Sequence, residues 1–210
     1  MNEMSAGKDI RIMLKEAFTL FAITLIAGLL LGFIYQLTKD PIAEQEALAV
    51  QNACRSVFST ADSFKLTDLS PSAAQAEEYK KLGVTIGEVY EALDASGNFL
   101  GYVLRSASNQ GYGGDIVLYL GVASDGTLRD VSILEISETA GLGMNAESVL
   151  VPQFHEKSVP QFSYTKTGAA AEDEIDAISG ATITTRAFVN AVNCGLSYAI
   201  DEMKGGAGNE

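Results

Sequence analysis

The sequence predicts an α+β fold, with a single transmembrane helix near the N-terminus followed by one domain in which antiparallel hairpins pack against helices. Three observations carry this. The first is the run from Ala17 to Thr38, 22 residues without a charge. The second is a strand–turn–strand pattern that occurs twice between Val89 and Leu134. The third is the segment after Ala181, where Val189, Val192, Leu196, Ile200 and Met203 recur at three- and four-residue steps, the period of a helix with one face on a core.

The uncharged run contains Leu-Phe-Ala-Ile-Thr-Leu-Ile-Ala-Gly-Leu-Leu-Leu-Gly-Phe-Ile. At about 1.5 Å per residue it is long enough to cross a hydrocarbon core of about 30 Å. A cleaved signal peptide would have a shorter apolar core and a small-residue cleavage site. The following Lys39-Asp40-Pro41-Ile42-Ala43-Glu44 offers none, so the helix is read as an uncleaved anchor. Lys8, Arg11 and Lys15 precede it, whereas Lys39 on the other side is accompanied by Asp40, Glu44 and Glu46. The positive-inside rule then leaves residues 1–16 in the cytoplasm and the body of the protein outside. Phe18-Thr19-Leu20 resembles a run found in pilin-type anchors, but Glu16 lies outside the apolar run and no glycine directly precedes Phe18.

The expected organisation is therefore a cytoplasmic N-terminus (1–16), a transmembrane helix (17–38), a stalk helix and connector (39–82), one extracytoplasmic domain (83–204) and a disordered tail (205–210). Pro41 suits the first position of a helix, and Ala47, Val50, Ala53, Val57 and Phe58 follow at helical steps. Residues 59–82 read as irregular apart from a short helix over Ala73 to Lys81. Val89 to Leu104 forms two β runs about Asp94-Ala-Ser-Gly-Asn98, and Ile116 to Leu134 repeats the plan about Ser124-Asp-Gly126. These are hairpin signals, and their outer strands are expected to join one sheet with the C-terminal helix against it.

Composition excludes several classes of function. There are 14 basic and 27 acidic residues. The first 38 positions hold three of each, so the remainder carries the whole net charge of −13. Such a surface repels nucleic-acid phosphates and anionic lipid head groups. Two cysteines and one histidine cannot build a four-cysteine cluster, a zinc knuckle or a Cys-x-x-Cys-His haem site. A redox role therefore calls for an organic cofactor rather than a metal. Cys54 and Cys194 each sit on a predicted helix. A bridge between them and two separate buried thiols both remain open, the second being favoured. His155 reads as a surface or capping residue.

The segment Asp176-Ala-Ile-Ser179-Gly180-Ala181-Thr182 places a hydroxyl on a small-residue turn at the start of the last helix. Free N–H groups and partial positive charge at a helix start suit a phosphate. The same residues also serve as ordinary N-cap chemistry.

The order Asp, two residues, Ser, Gly, Ala, Thr resembles the flavinylation motif of the FMN-binding domain family. That domain is found in the G subunit of the Rnf electron-transport complex and in the C subunit of the sodium-pumping NADH:quinone reductase. The resemblance implies that a flavin transferase attaches FMN through a phosphate ester to Thr182, with Ser179, Gly180 and Ala181 as small neighbours and Asp176 as the acidic recognition residue. Thr184 and Thr185 offer nearby hydroxyls. Ser137-Glu138-Thr139-Ala140-Gly141-Leu142-Gly143 resembles the family's Glu-Thr-Pro-Gly-Leu-Gly loop, with Ala140 where proline is usual, and Gly111-Tyr-Gly-Gly-Asp-Ile116 resembles a further element. The loop is expected to fold back beside Thr182 so that Glu138, Thr139, Leu142 and Gly143 border the cofactor. The implied role is that of an electron-carrying subunit of an ion-translocating Rnf-type ferredoxin:NAD⁺ oxidoreductase, partnered by other membrane subunits. The alternatives are the equivalent subunit of the sodium-pumping reductase and a non-enzymatic membrane-anchored binding module.

Overall fold

The computed structural model describes residues 3–206, and the chain divides into two compact units, one reaching Leu48 and one beginning at Ala49. In the first unit helix α1 (Glu3–Val57) carries a stretch long and apolar enough, by length and composition, to cross a membrane. Large apolar side chains of that stretch, Phe18, Leu25, Leu29 and Phe33 among them, are half exposed or more, so they need an apolar surrounding rather than water. Thr19, Thr24 and Thr38 turn their hydroxyls back on the carbonyls of Lys15, Leu20 and Ile34 at 2.7, 3.0 and 3.0 Å, which removes lone polar groups from that surface.

Pro41 does not begin a new helix. It lies inside α1, where its missing N–H leaves only the carbonyl four residues earlier without its usual donor. The second unit starts well before residue 83, because the end of α1 packs on the sheet and a strand forms within the stretch read as irregular. That strand, β1 (Ser63–Leu66), pairs with β2 (Val84–Leu93). At four residues, with only Phe64 partly buried, it carries little pattern of its own and exists through its partner. Helix α2 spans Ala73–Lys81, as expected, closed at its start by a capping box between Ser72 and Gln75.

Strands β3 (Phe99–Ser108), β4 (Ile116–Ala123) and β5 (Leu128–Ile136) complete a five-stranded antiparallel sheet in sequence order. The two hairpins are thus consecutive parts of one meander, joined by full pairing of β3 with β4. All eight residues of β4 are buried. Ile116, Leu118, Leu120 and Val122 enter the larger core, while Val117, Tyr119 and Ala123 lie on the opposite face, where Tyr119 and Ala123 pack with Ala53, Cys54, Val57 and Phe58. Such a run is what a strand covered on both faces requires.

Helix α4 (Thr182–Gly206) covers the larger core. It approaches closely at Gly195, where a Cβ would stand 2.9 Å from Leu104 Cδ1, and Ser106 Oγ donates to the Ala191 carbonyl at 2.8 Å. The helix includes Gly205 and Gly206, assigned by sequence to the tail; residues 207–210 lie outside the described residues. The segment 146–171, weak in sequence signal, contains the short helical turns Ala146–Val149 (α3) and Val151–Phe154, which follow a turn at Gly143–Asn145. A two-stranded parallel ladder of β6 (Ser163–Thr165) and β7 (Glu174–Asp176) follows. Cys54 and Cys194 are free and belong to the cores on opposite faces of the sheet. Burial pushes both thiols up to about 11. His155 is a surface residue, its Nδ1 lying 3.0 Å from Asp130 Oδ2.

Candidate functional site

Antiparallel pairing of β4 with β5 sets Ile116 opposite Ile136, so the chain entering β4 and the chain leaving β5 lie side by side. Glu138 Oε1 accepts the Tyr112 N–H at 2.8 Å. The glycines make the approach possible: a Cβ on Gly113 would collide with the Ser137 carbonyl, and one on Gly111 with the Gly114 carbonyl. Beyond Glu138, the Thr139 carbonyl accepts the N–H groups of Leu142 and Met144 at 3.1 and 3.2 Å. Gly141 supplies the positive φ of 77° that this turn needs.

The N-terminus of α4 abuts the same loop. A Cβ on Gly143 would stand 2.7 Å from Thr184 Oγ1 and 2.8 Å from Glu138 Cβ. Between these pieces lies a cavity of about 460 Å³, within the range of small-molecule sites, about 300–1,000 Å³. Thr139, Leu142 and Gly143 line it from one side and Gly180, Ala181 and Thr182 from the other, with Glu138 between the loops.

Local hydrogen bonding explains how Thr182 is presented. Gly180 has φ 78°, and the Ala181 N–H donates to the Ile178 carbonyl at 3.0 Å. Thr185 Oγ1 accepts the Ile178 N–H at 3.1 Å and donates to the Ala181 carbonyl at 3.0 Å, so a hydroxyl inside the helix fixes the turn before it. Among the described residues, the N–H groups of Thr182, Ile183 and Thr184 have no backbone acceptor, since the first such bond is Thr185 N–H to Ala181. Three free donors at the start of a helix whose first residues line the cavity are suited to an anion.

The three threonines differ sharply. Thr185 is fully buried with its hydroxyl committed, Thr184 is 1 % exposed, and Thr182 is partly exposed with its hydroxyl in no hydrogen bond among the described residues. Ordinary N-capping therefore does not occupy Thr182. Asp176 and Ser179 are exposed and stand outside the cavity lining. The Asp176 carboxylate accepts the Ala169 N–H at 2.7 Å. Its backbone is held by Gln153, whose Oε1 accepts the Asp176 N–H at 2.7 Å and whose Nε2 donates to the Asp176 carbonyl at 3.1 Å.

Tyr112, Ile183 and Thr184 also line the cavity but are absent from the residues expected to border it. Tyr112 could have been found from its place in the glycine-rich turn before β4. Thr184 is marked in the sequence only as one of the hydroxyls near Thr182, and helical spacing does not put it on the same face, since residues two apart do not share one.

The family model described as FMN-binding domain matches residues 111–197, which include every cavity-lining residue, and the one described as RnfG N-terminal region matches residues 1–57. The chain is 28% identical over 198 residues to the G subunit of the Na(+)-translocating ferredoxin:NAD(+) oxidoreductase complex of Acetobacterium woodii, covering 90% of this chain and 92% of that protein. It is 30% identical over 197 residues to the G subunit of the ion-translocating oxidoreductase complex of Methanosarcina acetivorans, covering 93% and 97%. The crystal structure of Shewanella oneidensis NqrC overlays with a TM-score of 0.46 at 17% identity, over 71% of this chain and 74% of that one.

Proposed function

Because the chain belongs to the family of G subunits of ion-translocating oxidoreductase complexes and carries the FMN-binding domain, we propose that it is the electron-carrying subunit of an Rnf-type ferredoxin:NAD⁺ oxidoreductase, with FMN esterified through its phosphate to Thr182. The observation that carries the attachment site is the contrast among the threonines: only Thr182 combines partial exposure on the cavity with an uncommitted hydroxyl beside free helix N–H groups. The match of residues 1–57 to the RnfG N-terminal region favours this complex over the sodium-pumping NADH:quinone reductase.

The residues present suit FMN. Thr182, Ile183 and Thr184 offer backbone donors to a phosphate, and Leu142, Ile183 and Tyr112 offer apolar surface to a ring. Bound FMN supplies one- and two-electron chemistry. The chain supplies position: the Glu138 link and the Thr185 link hold the two loops that bracket the cavity. Covalent attachment replaces a concentration-dependent equilibrium by an intramolecular one with an effective concentration on the order of millimolar. Asp176 and Ser179, outside the cavity and exposed, are available to the transferase during maturation.

In this reading α1 anchors the protein in the cell membrane as a single pass. Lys8, Arg11 and Lys15 hold the N-terminus in the cytoplasm and the FMN-bearing domain lies outside, next to the other membrane subunits.

The test is co-production with a flavin transferase followed by denaturing electrophoresis and intact mass. Wild type is expected to fluoresce in the gel and to gain the mass of one FMN ester, mapped to Thr182. Thr182→Val is expected to be dark and unmodified while remaining folded. A colourless wild type of polypeptide mass overturns the reading, and fluorescence surviving in Thr182→Val moves the ester elsewhere.

A further inference from the structure

We propose that Tyr112 is the stacking platform for the flat ring of the ligand in this cavity, an assignment that rests on the flavin reading above. Three observations lead to it.

First, the base of Tyr112 is fixed. Its N–H is held by Glu138 Oε1 at 2.8 Å, Gly113 is pressed on the Ser137 carbonyl, and a Cβ on Gly111 would stand 2.8 Å from the same carboxylate oxygen. Second, the side chain on this base is without partners. The ring is 71% exposed although it lines the cavity, it packs with no other aromatic ring, and its hydroxyl makes no hydrogen bond among the described residues. A large aromatic side chain held out over a cavity in this way is poised to cover an apolar face. Third, the remaining apolar lining fits the same shape. Leu142 and Ile183, 40% and 43% exposed, border the cavity with Tyr112, whereas the free N–H donors sit at the start of α4. A ligand with an anionic end on α4 and a flat ring beyond it meets both.

The assignment has a spectroscopic signature. An excited oxidised flavin in contact with a phenol ring takes one electron from it, and the electron returns in the dark, so emission is lost with no net chemistry. The chain has no tryptophan, and Tyr112 is the aromatic residue among those lining the cavity. Quenching of native protein therefore reports on this ring.

The experiment uses full-length protein co-produced with a flavin transferase, as wild type, Tyr112→Phe and Tyr112→Leu, with equal flavin content established by intact mass. Wild type is expected to emit weakly when native and several-fold more strongly in denaturant. Both variants, with unchanged urea midpoints, are expected to emit when native nearly as strongly as when unfolded. Tyr112→Phe preserves the ring and keeps the test valid should Tyr112→Leu disturb the loop. Native emission equal in all three proteins at equal flavin content overturns the stacking role. Wild type without flavin overturns instead the reading on which it rests.

Discussion

Glu138 Oε1 accepts the backbone N–H of Tyr112 at 2.8 Å, closing a 26-residue separation in sequence and fixing two loops to each other at one rim of the cavity. Glu138→Ala leaves that donor to water and loosens the glycine loop. We expect a loss of about 1 kcal/mol in a urea titration, the size of one net hydrogen bond, and faster hydrogen exchange at the Tyr112 amide. Glu138→Gln keeps an acceptor and should lose less than half as much.

Gly143→Ala is expected to be more damaging than its size suggests. The added methyl would meet Thr184 Oγ1 at 2.7 Å and Glu138 Cβ at 2.8 Å, and overpacking of this kind costs about 1–3 kcal/mol. Denaturation midpoints should fall and flavin loading with them. Gly141→Ala meets nothing within 4 Å but must hold φ 77°, so its effect should appear as a loss of about 1 kcal/mol from backbone strain alone.

Gln153→Leu removes both hydrogen bonds to the Asp176 backbone. We expect a stability loss of about 1–3 kcal/mol and slower modification of Thr182 under limiting transferase, with peptide mapping still placing the ester on Thr182. Unchanged modification kinetics would show that the turn keeps its register without Gln153.

The buried thiols give a pH dependence with a definite sign. Burial raises Cys54 and Cys194 from an ordinary 9.0 to about 11, so the folded state binds protons that the unfolded state has released. Their contribution to stability is complete below pH about 9 and is lost as pH rises toward about 11. Urea midpoints of wild type should decline across this window, and a Cys54→Ala, Cys194→Ala double variant should decline less. Neither thiol should react with a maleimide at pH 8 until the protein unfolds.

Thr185→Val tests the turn itself. It removes the hydroxyl that accepts the Ile178 N–H and donates to the Ala181 carbonyl, leaving a buried N–H unpaired at a cost of about 1–3 kcal/mol. Its gel fluorescence should persist per folded molecule, in contrast to Thr182→Val.

Residues a few positions apart were enough to specify the apolar helix, the strand blocks about their Asp- and Gly-centred turns, α2 and the start of α4, whereas the loops at the cavity were marked only by the family resemblance. Charge-free length, side-chain period and turn chemistry are all local properties of the chain. Other outcomes emerged only in three dimensions: that Ser63–Leu66 is a strand, that Gln153 pairs with Asp176, and that Asp176 and Ser179 stand outside the cavity while Ile183 lines it. They depend on the pairing of β1 with β2, on the approach of Gln153 to the last turn before α4, and on how closely α4 lies to the loops. All three are set by packing between segments distant in the chain, for which no local pattern exists to be read.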